Sequence, residues 1–172
     1  MNPRYRPFLM AGAIVLLDRV TKWWIENRVS EYDAFTVIPR FFQIVHTRNR
    51  GIAFGLFNDG AAEGTSVVLI VLSLAILGFV GSMLWHYSAQ LGREHWTLRY
   101  GLGAILGGAV GNIHDRIVFG SVTDFLDFFW GAQHFPAFNV ADSAITCGAG
   151  LLLLNLLAAP KEGRRKAGAA GE

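Results

Sequence analysis

The chain has 172 residues, 52% hydrophobic and 16% charged, with 15 Lys+Arg against 13 Asp+Glu. Globular domains carry about a quarter charged residues, so this deficit excludes a disordered chain, a highly charged scaffold and a typical nucleic-acid binder. The length fits one domain, one cysteine excludes an internal disulfide or a Cys-based zinc centre, and the mean hydropathy of +0.36 points to an integral membrane protein.

Four apolar segments follow in chain order. The first, about residues 7–27, opens with Phe8 to Leu17 and then carries Asp18, Arg19, Lys22 and Glu26. No small-residue cleavage site follows a short apolar core, so a span with one polar face is expected. Next comes a β-rich stretch, about residues 30–60. Phe35–Ile38 and Phe41–Val45 flank the turn signal Pro39-Arg40, with a further short strand at Gly51–Gly55. A small antiparallel sheet on the membrane surface is the expectation.

Thr65 to Trp85 holds no charged residue, Trp96 to Ile113 only Arg99, and Phe138 to Ala159 only Asp142. Crossing ~30 Å of hydrocarbon takes ~20 apolar residues, which places three more spans at about 65–86, 96–114 and 138–159. Residues 1–172 then form a single integral membrane domain, a mainly α four-helix bundle, with a basic tail over 160–172 read as disordered. Arg4 and Arg6, Arg93, and Lys161, Arg164, Arg165 and Lys166 all fall on one side of an even number of spans, the cytoplasmic side, with both termini. The connections 28–64 and 114–137 face outward. Arg28, Arg40, Arg48 and Arg50 run against that rule, but a folded segment weighs less than a short loop.

Ionisable groups inside spans mark function by default. At 1.5 Å rise per residue, Asp18 lies about 16 Å and Lys22 about 22 Å into the first span. Asn112 and Asp115 lie about 24 and 28 Å into the third, and Asn139 and Asp142 within about 6 Å of the outer end of the fourth. Three helices thus place polar residues in the outer half of the membrane, each pair on one helix face. Asp124, in the outer connection, is flanked by apolar residues.

Simpler readings stand beside each. Asp18 with Lys22 reads as an ion pair holding the first helix, and Asp115 with Arg116 as a local pair. Asn139 with Asp142 reads as a helix N-cap with an acid at N3. Asp127 reads as a solvated loop acid, Cys147 as packing, and Trp23, Trp24 and Trp130 as interface anchors. Gly107, Gly108 and Gly111 suit close helix packing. The histidines lack ligand spacing, so no metal site is expected.

The ordered motifs Asp18-Arg-Val-Thr-Lys22, Asn49-Arg-Gly51-Ile-Ala53-Phe54, Gly111-Asn112-Ile-His-Asp115-Arg116, Gly120-Ser-Val122-Thr-Asp124-Phe125 and Phe138-Asn139-Val-Ala141-Asp142 resemble those of bacterial lipoprotein signal peptidase, signal peptidase II, over about residues 8–158. The resemblance implies an aspartic endopeptidase of the bacterial inner membrane that acts on lipidated prolipoproteins. It cuts before a cysteine carrying diacylglycerol, on the outer face, without cofactor or metal. It further implies a catalytic pair at Asp124 and Asp142. Asn49, Gly51, Asn112, Asp115, Arg116 and Asn139 match positions around the site, and Asp18 and Lys22 match the first-span motif. Membrane lipid is the expected surrounding, nucleic acid is not a partner, and a monomer is expected. Ile52 and His114 depart from the pattern. A transporter is the competing class, but it favours a midplane site and internal repeats. A structural subunit explains Asp18 and Lys22 but not Asp124 with Asp142.

Overall fold

The computed structural model describes residues 3–51, 65–90 and 96–158. A 3₁₀ turn (Pro3–Tyr5) leads into α1 (Arg6–Arg28), followed by strands β1 (Ala34–Ile38) and β2 (Phe42–Asn49). Then come α2 (Thr65–Gln90), α3 (Trp96–Phe119), β3 (Val122–Trp130), β4 (Gln133–His134) and α4 (Val140–Ala158). The protein is mainly helical with a small antiparallel sheet. The helices coincide with the four apolar segments, except that α2 runs to Gln90 and α3 to Phe119, beyond the expected ends near 86 and 114. The expected strand at Gly51–Gly55 and the tail over 160–172 lie outside the described residues.

The distribution of polarity is inverted relative to a water-soluble fold. Lys22, Asp18 and Asp115 are at most 1% exposed, whereas Leu156 and Leu157 are more than 70% exposed. Two helices among the described residues contain stretches long and apolar enough to cross a membrane, Ile70–Tyr87 and Val140–Ala158, both largely unburied. A soluble core helix would be covered; these apolar faces are not.

Close helix contact comes from glycine. Along α3, Gly103, Gly107 and Gly111 recur every four residues and face α1. A Cβ on Gly103 would lie 2.8 Å from the Pro7 carbonyl oxygen, and one on Gly107 2.8 Å from that of Ala11. A second seam meets α4, where Gly101 and Gly148 each approach the other's carbonyl and Gly108 abuts Ala141. These small residues let the backbones touch, which brings side chains from three helices into one polar cluster. α2 packs instead by side chains, through Val80 and Leu84 against Leu102 and Phe8.

The sheet has the order β1-β2-β3-β4. β1 and β2 form the hairpin expected at Pro39-Arg40, with Arg40 in the left-handed region at φ 64°. The second outer connection supplies the other two strands, which alternation alone did not reveal, because most of β3 is buried on both faces. α3 stops at Gly120, whose φ of 70° provides the left-handed residue that ends a helix, and β3 begins two residues later. Phe138 then returns to β3 through an isolated bridge with Leu126.

Candidate active site

The N-terminus of α4 carries the first half of the site. Asn139 caps the helix: its Oδ1 accepts from the Asp142 backbone N–H at 2.9 Å, while Asp142 Oδ2 accepts from the Asn139 N–H at 3.2 Å. This reciprocal pair satisfies two helix-end donors and locks Asp142 in place. Its other oxygen, Oδ1, accepts from Asn112 Nδ2 of α3 at 2.8 Å.

β3 carries the second half. Asp124 is 3% exposed. Its Oδ1 accepts from Asn139 Nδ2 at 2.7 Å and its Oδ2 from Asn49 Nδ2 of β2 at 3.1 Å. Asn49 is oriented in turn, because its Oδ1 accepts from the Gly51 N–H at 2.9 Å. The Gly51 carbonyl accepts from Arg116 Nη2 at 3.0 Å. Asn139 therefore touches both carboxyl groups. Burial, with the negative charge of Asp142 adding to it, pushes Asp124 up to about 7. Both acids line a cavity of about 280 Å³, with Asn49, Asn112 and Arg116 beside them and Leu72, Ile76 and Ile145 forming an apolar wall.

A second polar cluster adjoins the first. Lys22 Nζ lies 2.8 Å from Asp18 Oδ2 and 2.8 Å from Asp115 Oδ2, and donates to Asn112 Oδ1 at 3.0 Å. Asp18 Oδ1 accepts from the Ala141 N–H in the first turn of α4 at 2.9 Å. Arg19 pairs with Asp115 and Glu26, and Thr123 Oγ1, beside Asp124, donates to Glu26 Oε1 at 2.9 Å.

All ten residues named from sequence thus fall in these two connected clusters. The Asp18–Lys22 pair and the Asn139 cap are present as read. Three readings need correction. Asp115 pairs with Lys22 and Arg19 rather than locally with Arg116, whose guanidinium reaches back to Gly51, because neighbours on a helix point in different directions. Asp127 is not solvated: it is 6% exposed on β3, accepting from Gln43 Nε2 at 2.6 Å and from His134 Nδ1 at 2.9 Å. Cys147 is exposed on α4 rather than packed. Trp23, Trp24 and Trp130 are exposed. His114 touches the second cluster, its Nδ1 3.4 Å from Asp115; Ile52 lies outside the described residues. Sequence reading passed over Arg19, Glu26 and Thr123 as participants. The spacing Asp18, Lys22, Glu26, every four residues on one helix face, was the available signal.

The fold has counterparts among solved structures. Two, both described as bacterial membrane enzymes, superpose with TM-scores of 0.74 and 0.75 at 32% and 30% identity. They cover 88% and 93% of this chain and 87% and 99% of theirs. An integral membrane enzyme is the class so defined. A model of the family described as signal peptidase (SPase) II matches residues 10–158. The lipoprotein signal peptidase of Solibacter usitatus is 48% identical over 90% of this chain and 92% of its own. That of Maridesulfovibrio salexigens is 39% identical over 90% and 97%. The chain belongs to the signal peptidase II family, proteases that remove the signal peptides of lipoproteins.

Proposed function

We propose that the chain cuts diacylglyceryl-modified prolipoproteins immediately before the lipidated cysteine, using Asp124 and Asp142 as a catalytic pair. The observation that carries this reading is the buried Asp124 and half-buried Asp142 carboxyl groups on one cavity, linked through Asn139, with Asp124 near neutrality. Two such groups side by side do not ionise together easily, so one keeps a proton at neutral pH. Asp142, as carboxylate, takes a proton from water as the water oxygen attacks the scissile carbonyl carbon. Asp124, as acid, donates its proton to the carbonyl oxygen. On collapse of the tetrahedral intermediate the C–N bond breaks. Asp142 gives its proton to the leaving cysteine nitrogen, and Asp124 recovers the proton from the hydroxyl. Asn49, Asn112 and Asn139 hold the two carboxyl groups in register without titrating. Gly51 and Arg116 brace Asn49, and Asp18, Lys22 and Asp115 tie α1 and α3 together behind them.

In this reading all four helices of one domain cross the bacterial inner membrane, as a monomer in lipid, with both termini cytoplasmic. α1 crosses with its charges turned inward, which the burial of Asp18 and Lys22 supports. The lipidated cysteine keeps its acyl chains in the bilayer and presents the scissile bond at the outer boundary, where α4 begins. The decisive experiment is mass spectrometry of a lipidated precursor incubated with purified Asp124→Asn and Asp142→Asn proteins. Neither should yield the cleaved product, and turnover by either would overturn the pair. Topology is tested separately. In a Cys147→Ser background, an impermeant maleimide added outside should label Thr36→Cys and spare Arg6→Cys.

A further inference from the structure

Asn112 raises a question that the catalytic pair does not answer. A side-chain amide is nearly symmetric, yet Asn112 is useful to Asp142 only with its NH2 turned toward that carboxylate. What fixes the choice lies on the opposite side. Lys22 is 0% exposed, and its ammonium has three N–H donors and no acceptor. It donates to Asn112 Oδ1 at 3.0 Å and lies 2.8 Å from each of the charged oxygens Asp18 Oδ2 and Asp115 Oδ2. The amide must therefore show its oxygen to Lys22, because the reverse orientation would set donor against donor around a fully buried ammonium. With the oxygen committed, Nδ2 is directed at Asp142 Oδ1, 2.8 Å away. Asn139 Nδ2, at 3.3 Å, is a second and longer donor to Asn112 Oδ1.

Building on the Asp124–Asp142 reading above, we propose that Lys22 is a positioning residue for hydrolysis: it fixes the amide of Asn112 so that its NH2 holds Asp142 as the base. This assigns the buried lysine more than the joining of two helices. Hydrogen bonds to charged groups are among the stronger ones in proteins, and the oriented amide supplies one to the carboxylate that must accept a proton from water.

Lys22→Met alone strands the buried Asp18 carboxylate, so the test uses Lys22→Met with Asp18→Asn. That pair removes the ion pair as a unit and leaves Asp115 its Arg19 partner. It is compared with Asn112→Ala, with the three changes combined and with the wild type. Each is assayed for kcat, KM and thermal unfolding on a lipidated precursor in nanodiscs. In the folded double variant kcat should fall about tenfold to a hundredfold, with KM within about twofold. Added to Asn112→Ala, the same two changes should cost less than about threefold, since residues acting through one another are non-additive. An unchanged kcat in the folded double variant, or its full effect repeated beside Asn112→Ala, overturns the proposal.

Asn112→Asp covers the case in which the double variant does not fold. It keeps an acceptor for Lys22 but has no donor for Asp142, so it should fold and lose kcat by a similar factor. Retained kcat there also overturns the proposal. Asp124→Asn and Asp142→Asn run alongside: activity in either brings down the catalytic pair itself, whereas their inactivity with an indifferent Lys22 brings down only the positioning role.

Discussion

Two pairs of aspartates lie side by side in this protein and are treated in opposite ways. Asp18 and Asp115 hold a lysine between them, each 2.8 Å from its ammonium. Asp124 and Asp142 hold amides: Asn49 and Asn139 donate to the first and Asn112 to the second. A shared ammonium ties two carboxylates from different helices to each other, whereas side-chain amides orient a carboxyl group through hydrogen bonds without titrating themselves. The first pair joins helices; the second, in the function proposed above, exchanges protons.

The sharpest way to break this contrast is chemical. Asp124→Asn or Asp142→Asn should each lower cleavage by at least about a thousandfold, and the two together should be little worse, because groups acting as a unit are non-additive. A comparable loss of turnover in Asp115→Asn protein that stays folded would erase the distinction between the pairs. Stability should separate them in the other direction. Lys22→Met alone strands the buried Asp18 carboxylate and should cost about 3–5 kcal/mol in denaturation measured in detergent. Asp124→Asn should leave the unfolding temperature unchanged or raise it at pH 8.

The reason for that rise gives a pH test. Asp124 titrates at about 7 when folded, against 3.8 as a free side chain. Between those values the native protein keeps a proton that the unfolded chain has released. The stability associated with this group is thus complete below the lower value and lost as pH rises through the higher. Wild-type unfolding temperature should decline from pH 5 to pH 8 more steeply than that of Asp124→Asn, and turnover should fall above pH 7 as the acid is lost.

A smaller effect is expected at the amides. Asn139→Ala removes a helix cap worth about 1 kcal/mol and a donor to Asp124, and should slow cleavage without abolishing it. Asn139→Ser should restore the unfolding temperature but not the rate. Smallest of all, Asp127→Asn should remain active and lose a few degrees at most, since it disturbs only Gln43 and His134 at the far end of β3.

What could be seen in the sequence follows from the range of the forces involved. The helices, the β1–β2 hairpin, the Asn139 cap and the Asp18–Lys22 pair are local, each set within a few residues, and each was legible. Asp127 was misjudged because nothing near it in sequence reports that Gln43, eighty-four positions away, sits opposite on β2. Asp115 and Arg116 are adjacent in the chain, so a local pair was the natural reading. Only the glycine seam against α1, which brings Lys22 across, redirects Asp115. The roles of Glu26 and Thr123 likewise exist only once α1 and β3 have met.

The bridge between Leu126 and Phe138 also decides where the chain can change length. Asp124 lies two residues before one end of this bridge and Asp142 four residues after the other, the last three spanned by the Asn139 cap. The separation of the two acids is thus measured by a pair of short, stiff rulers and not by the turn that joins them. Residues added near Gly131, whose φ of 61° marks the turn between β3 and β4, should lengthen an exposed bulge and leave the rulers alone. One residue inserted between Phe138 and Asp142 would rotate the acid by about 100° around the helix axis and carry it off the cavity. Lineages of this protein should therefore drift freely in length at the hairpin tip, and not at all across those five positions.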